Sequence, residues 1–212
     1  ACPRHMAELN RRVGTSLTRE QLYAHTRGDS AEDRRVTDIY VKLIGESLVG
    51  AVRAMREGLD EVDPTIQGIT SGIYTGTFCE FSGDIAEAFA GKGNPRVVRM
   101  NNGMYTAPGA RNFTKNMFRA AILRENVKGK VDQFLAETDT CPQNRYSTSA
   151  ALLHAHFTAT ILEGATGAKH WITRLSAHEP ASGKAYRDIL AKNAGFYRTL
   201  SSLTHTLSPL GC

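Results

Sequence analysis

The chain has 212 residues, 41% of them hydrophobic and 22% charged, enough for one ordinary domain with a substantial core and inconsistent with a disordered segment. No apolar run approaches the roughly 18 residues that a membrane-spanning helix needs. A net charge of +5 raises nucleic acid as a partner, but its distribution argues against that. Residues 1–63 carry 10 Lys/Arg against 11 Asp/Glu, and the surplus lies between Lys92 and Lys130, scattered over loops, a strand and a helix instead of one aromatic-lined face. The expectation is therefore no nucleic-acid partner, no membrane and a cytoplasmic setting. The four cysteines Cys2, Cys79, Cys141 and Cys212 stand far apart with no CxxC pair. That spacing fits reduced thiols better than a disulfide framework and assembles no local zinc site, so no cofactor and no metal are expected.

Helix and strand alternate along the chain. Ala1 leads directly into a helical pattern without an initiator Met, so the chain reads as part of a longer product. Val36, Ile39, Tyr40, Leu43, Leu48, Val52, Met55, Leu59 and Val62 recur at helical spacing and predict a long amphipathic helix stopped by Pro64. A short apolar strand is predicted at 66–70, then a helix over 84–90 closed by Gly91 and Gly93. A second strand, 97–100, is bounded by Pro95 and the turn Asn101-Asn102-Gly103. A helix over 113–124 turns Met117, Phe118, Ala121 and Ile122 to one side. A third strand spans 131–136. The next helix, 147–163, places Leu153, Phe157, Thr160 and Ile161 inward, and strand 168–173 and helix 183–203 end the pattern.

Four strands, each followed by a helix, imply parallel pairing. Both an open doubly wound sheet and half of a (β/α)8 barrel fit this count. A nucleotide-binding open sheet would carry GxGxxG or GxxxxGK[ST] after its first strand, and none is present. Instead, polar and carboxylate-bearing loops follow the strands, with Glu80, Asn101-Asn102, Glu137 and Arg174. Chemistry at the C-terminal ends of several strands is the habit of the barrel. The expected fold class is α/β, half of a (β/α)8 TIM barrel, occupying residues 1–212 as one unit.

The segment Val131-Asp132-Gln133-Phe134-Leu135-Ala136-Glu137-Thr138-Asp139 closes a buried strand with a carboxylate, which can be catalytic or a satisfied loop residue. It continues through Asn144 to the helix that ends Ile161-Leu162-Glu163-Gly164-Ala165-Thr166-Gly167-Ala168 and the strand bearing Trp171. This run resembles the family 42 β-galactosidases and their clan A relatives among the glycoside hydrolases. The resemblance implies strands five to eight of the barrel, with Glu137 as the nucleophile of a retaining mechanism. It also implies Asn144, Trp171 and Arg174 as carbohydrate-binding residues. Arg145 departs from the family, which usually has an aromatic residue there, and this bears on sugar specificity. The helical segments expected at 2–9 and 17–22 match those that follow the acid/base residue in that family. The acid/base itself, a Glu after an Asn on strand four, would precede Ala1, so the chain alone is expected to be inactive or nearly so. By the same resemblance a homotrimer is the implied assembly, and Cys2 falls where some members place the last thiol of a zinc cluster.

Other candidates rest on the residues alone. Asn101, Asn102 and Tyr105 follow the second strand and could bind sugar hydroxyls, although Asn-Asn-Gly also makes a good turn. Trp171, the only Trp, offers a stacking face or core packing. Asp139 is a rival to Glu137, because residues i and i+2 of a strand share a face, but the segment from Thr138 to Pro142 reads as loop. His154 and His156 diverge on a helix and cannot share an ion, while His170 could face either the barrel mouth or the outer helices. Two functions from other classes remain open: a noncatalytic carbohydrate-binding or assembly module, and a barrel acting on phosphorylated metabolites. The latter is disfavoured because Gly164 and Gly167 precede the last strand instead of following it.

Overall fold

A computed structural model describes residues 1–72, 79–100, 113–139, 148–171 and 183–206, with the side chains of Phe113, Asn116, Asp139, Trp171 and Thr206 outside that description. In chain order the elements are α1 (Pro3–Val13), α2 (Arg19–His25), α3 (Ala31–Val62), β1 (Ile69–Gly72), a 3-10 turn (Cys79–Phe81) and α4 (Ser82–Ala90). Then follow β2 (Val97–Met100), α5 (Phe113–Val127), β3 (Gln133–Asp139), α6 (Ala150–Leu162), β4 (Gly167–Trp171), α7 (Lys184–Lys192) and α8 (Ala194–Thr206). The four strands form one parallel sheet in the order β1-β2-β3-β4. The protein is thus α/β with consecutive βα units and no reversal of strand order among them, an arrangement compatible with part of an α/β barrel. No described helix is long and apolar enough to cross a membrane.

Side chains alternate across the sheet, and the two faces differ. Val98, Met100, Phe134 and Ala136 form one face and pack on Ala86 of α4 and on Ala120, Leu123 and Val127 of α5. Ala168 of β4, on that same face, joins a smaller cluster of Phe157 and Ile161 from α6 with Tyr197 from α8. The opposite face carries Ile69, Ser71, Val97, Arg99, Gln133, Leu135, Glu137 and Lys169, of which Val97 is buried, and none of these belongs to a hydrophobic cluster with a described helix. Close packing on the helix side leaves no room for a side chain at Gly72, whose Cβ would lie 2.6 Å from Val98 Cγ1.

A separate cluster holds the amino-terminal helices, where Met6, Leu9 and Val13 of α1 and Leu22 of α2 pack on Val36 and Leu43 of α3. Capping explains where α3 starts. The Ser30 Oγ accepts from the Asp33 backbone N–H at 3.0 Å, and the Asp33 carboxylate accepts from the Ser30 N–H at 3.0 Å. Such a reciprocal box contributes about 1 kcal/mol. Gly45 lets α3 approach the Phe81 ring, which a Cβ would meet at 2.2 Å.

Several boundaries differ from the sequence expectation, each for a tertiary reason. The first strand starts at Ile69, not 66, because the Ile66 carbonyl accepts from Arg56 Nη1 at 2.6 Å and the Gly68 N–H donates to the Ala90 carbonyl. The third strand runs on to Asp139, since β4 pairs with it from Leu135 to Asp139. Asp139 is therefore a strand residue and not part of a loop. The face of α5 is Met117, Ala120, Leu123 and Val127, and Phe118 is 67% exposed. On α3, Arg56 is buried whereas Met55 and Val62 are exposed. The predicted final helix is two helices, broken where Asn193 turns its side-chain amide onto the Ile189 carbonyl at 2.7 Å.

Candidate functional site

The face opposite the helix-packed one carries polar residues from every strand: Ser71 from β1, Arg99 from β2, Gln133 and Glu137, with the position of Asp139, from β3, and Lys169 from β4. Ser71 stands level with Arg99, and Glu137 stands level with Lys169. Arg99 is level with Leu135, so Glu137 lies one same-face step further toward the C-terminal end of the sheet. A guanidinium on a long side chain spans that step. Arg99 Nη1 forms an ion pair with Glu137 Oε1, and Arg99 Nη2 donates to the Ser71 hydroxyl at 3.0 Å. The result is a polar line across three adjacent strands, Ser71 to Arg99 to Glu137.

Glu137 is only 6% exposed. A buried carboxylate is costly unless charges and hydrogen bonds compensate, and Arg99 supplies a fixed, planar, permanently charged partner. Glu137 is the one carboxylate among the described side chains of this sheet face, and it sits near the C-terminal end of its strand. Chemically, the arrangement holds one oriented, buried carboxylate between two cationic residues of neighbouring strands.

The other face at the same height has a different character. Thr138 Oγ1 and His170 Nδ1 are hydrogen-bonded across β3 and β4. The His170 ring meets Phe157 of α6 edge-on, with centroids 4.9 Å apart. His170 thus points to the outer helices and not to the open face, and burial pushes its pKa below the ordinary histidine value. His154 and His156 likewise go separate ways. His154 Nδ1 lies 2.7 Å from the Tyr197 hydroxyl, whereas His156 is buried. Among the described residues no group of three His, Cys, Asp or Glu side chains is placed to hold a metal. At the amino-terminal end, the exposed Cys2 thiol lies 3.1 Å from His5 Nδ1. Its pKa is drawn down to about 7, first by the His5 backbone N–H and then by the His5 ring.

Of the sequence candidates, the structure positions Glu137 fully. Trp171 closes β4 in register with Asp139, and its backbone alone is described. Asn101, Asn102, Tyr105, Asn144 and Arg174 lie outside the described residues. Sequence reasoning missed Arg99, Ser71 and Lys169. A signal for Arg99 was present, since one charge interrupts the four-residue strand Val97-Val98-Arg99-Met100, and strand alternation puts it opposite the apolar face. No protein-family model, no curated protein and no solved structure matches the chain.

Proposed function

We propose that this chain forms strands five to eight of a (β/α)8 barrel in a retaining glycoside hydrolase of the β-galactosidase kind, with Glu137 as nucleophile. The observation that carries the reading is the position of Glu137: a buried carboxylate near the C-terminal end of a parallel strand, oriented by Arg99, on the sheet face not packed by the described helices. Unreversed strand order supports a barrel over a doubly wound sheet, and barrel chemistry gathers at the C-terminal ends of strands.

In this mechanism Glu137 attacks the anomeric carbon of a terminal β-linked sugar as the bond to the leaving oxygen breaks. A covalent glycosyl-enzyme forms, and water then releases the sugar. Arg99 holds the carboxylate in one orientation throughout. A second carboxyl, roughly 5–5.5 Å away, protonates the leaving oxygen and later activates the water. On this reading it comes from the other half of the barrel. Asn101, Asn102, Tyr105, Asn144, Trp171 and Arg174 would contribute the sugar-binding rim.

A noncatalytic carbohydrate-binding module is the second reading. It is favoured by the ion pair itself, because a carboxylate already engaged by Arg99 can serve the fold alone. A 2,4-dinitrophenyl 2-deoxy-2-fluoro-β-galactoside separates the two. Its leaving group departs without a proton, so labelling needs only the nucleophile. The expected result is a fluorosugar adduct on the peptide containing Glu137, absent in Glu137→Gln. An adduct on Asp139 moves the nucleophile, and saturable sugar binding without any adduct supports the module instead.

A further inference from the structure

Behind β4, between α6 and α8, lies a cavity of about 300 Å³. Its apolar wall is made by Phe157 and Ile161 of α6, Ala165 ahead of β4, and the ring of Tyr197 from α8. Phe157 and Tyr197 are in direct contact, 4.7 Å apart between centroids at 57°, and together form one continuous aromatic wall. The volume is at the small end of the range for ligand pockets.

The polar groups around this space are unequal. The Tyr197 hydroxyl is engaged by His154, and the Thr166 hydroxyl is engaged by the backbone N–H and carbonyl of Phe134. Arg198, exposed and also lining the cavity, has no ion pair or hydrogen bond with any described residue. Ser201 lines the same side, and its hydroxyl makes no hydrogen bond with a described residue. None of the described residues lining the cavity bears a carboxylate. An aromatic wall, with a guanidinium and a hydroxyl beside it that no described residue engages, complements one chemical class, a flat apolar body ending in one carboxylate.

We propose that this cavity binds a small aromatic monocarboxylate, its ring against the wall made by Phe157, Ile161 and Tyr197 and its carboxylate on Arg198. The site is separate from the Glu137 face and stands whether or not that face is catalytic. The structure also supplies a reporter, because Phe157 touches His170 edge-on, so an occupied cavity shifts the His170 ring signals.

The test is an NMR titration of the full chain with phenylacetate, following the side-chain signals of Phe157, Tyr197 and His170. Saturable shifts are expected with a Kd on the order of 1 mM, as suits about ten non-hydrogen atoms. The neutral isostere phenylacetamide should bind at least tenfold more weakly. Arg198→Gln should reduce phenylacetate to the level of the amide with an unchanged melting temperature, since Arg198 bonds to nothing described. Linear, unsaturable shifts overturn the proposal, as does equal binding of acid and amide, or full affinity in the Arg198→Gln protein.

Discussion

Arg99→Met tests how strongly Glu137 depends on its partner. The substitution keeps the length and much of the volume of the side chain but removes the guanidinium that meets Glu137 and Ser71. Glu137 would then remain nearly dehydrated with the charge of Arg99 removed. Removing one member of a buried pair costs about 3–5 kcal/mol, and the lower figure applies here because the Arg99 side chain keeps 20% exposure against 8% for Glu137. Against a total stability of roughly 5–15 kcal/mol the protein still folds. With a urea dependence of about 2 kcal/mol per molar, the unfolding midpoint falls by about 1.5 M. Fluorescence of the single Trp171 on β4 and far-ultraviolet circular dichroism give two probes of the same transition, in reducing buffer. Glu137→Gln in the Arg99→Met background should restore part of the loss, and the double-mutant cycle should show a coupling of about 2 kcal/mol. A loss below about 1 kcal/mol with additive effects would put the pair in the class of surface ion pairs and refute the orienting role assigned to Arg99.

The core and the sheet ends make further predictions. Leu123→Ala, at a side chain with no exposure beneath Val98 and Gly72, should cost about 3 kcal/mol, whereas Phe118→Ala on the same helix should stay within about 0.5 kcal/mol. Equal losses in thermal or urea unfolding would show that α5 does not present its Met117-Ala120-Leu123 side to the sheet. Asp132 clamps the start of β3 to Arg96, whose side chain first, and backbone N–H second, draw its carboxyl pKa down to about 2. Because that value lies below the unfolded one near 4, the clamp is whole above about pH 4 and is lost as pH falls toward 2. Urea midpoints compared at pH 5 and pH 2.5 should therefore fall less in Asp132→Asn than in the wild type; an equal fall in both removes Asp132 from the acid response.

What the sequence discloses about this fold is what local chemistry decides. Pro95 marks the approach to β2, and helical spacing finds the inward residues Leu153, Phe157, Thr160 and Ile161 of α6. The rest depends on partners distant in the chain. Arg56 lies outside the apolar positions that helical spacing marks on α3, yet it is buried because Asp60, the Ile66 carbonyl and the Phe89 carbonyl, 33 residues on, together satisfy its guanidinium. Phe118 reads as a core residue, but the sheet settles which side of α5 is inward, and that side is the one bearing Leu123. The third strand outruns its apolar stretch because β4 extends the ladder alongside it.

That extension bears directly on which carboxylate serves as nucleophile in the proposed mechanism. Loop geometry would have separated Asp139 from Glu137, but both belong to β3, and alternation gives their positions the same face. Strand position alone therefore does not select between the two carboxylates. The selection comes from β2: its register puts Arg99 level with Leu135, one same-face step before Glu137 and two before Asp139. A guanidinium reaches the first of these, and its ion pair with Glu137 is formed. Glu137 leads Asp139 because a neighbouring strand orients it, so the decisive residue for the candidate site is Arg99, a charge that the sequence displayed inside an apolar strand 38 positions upstream.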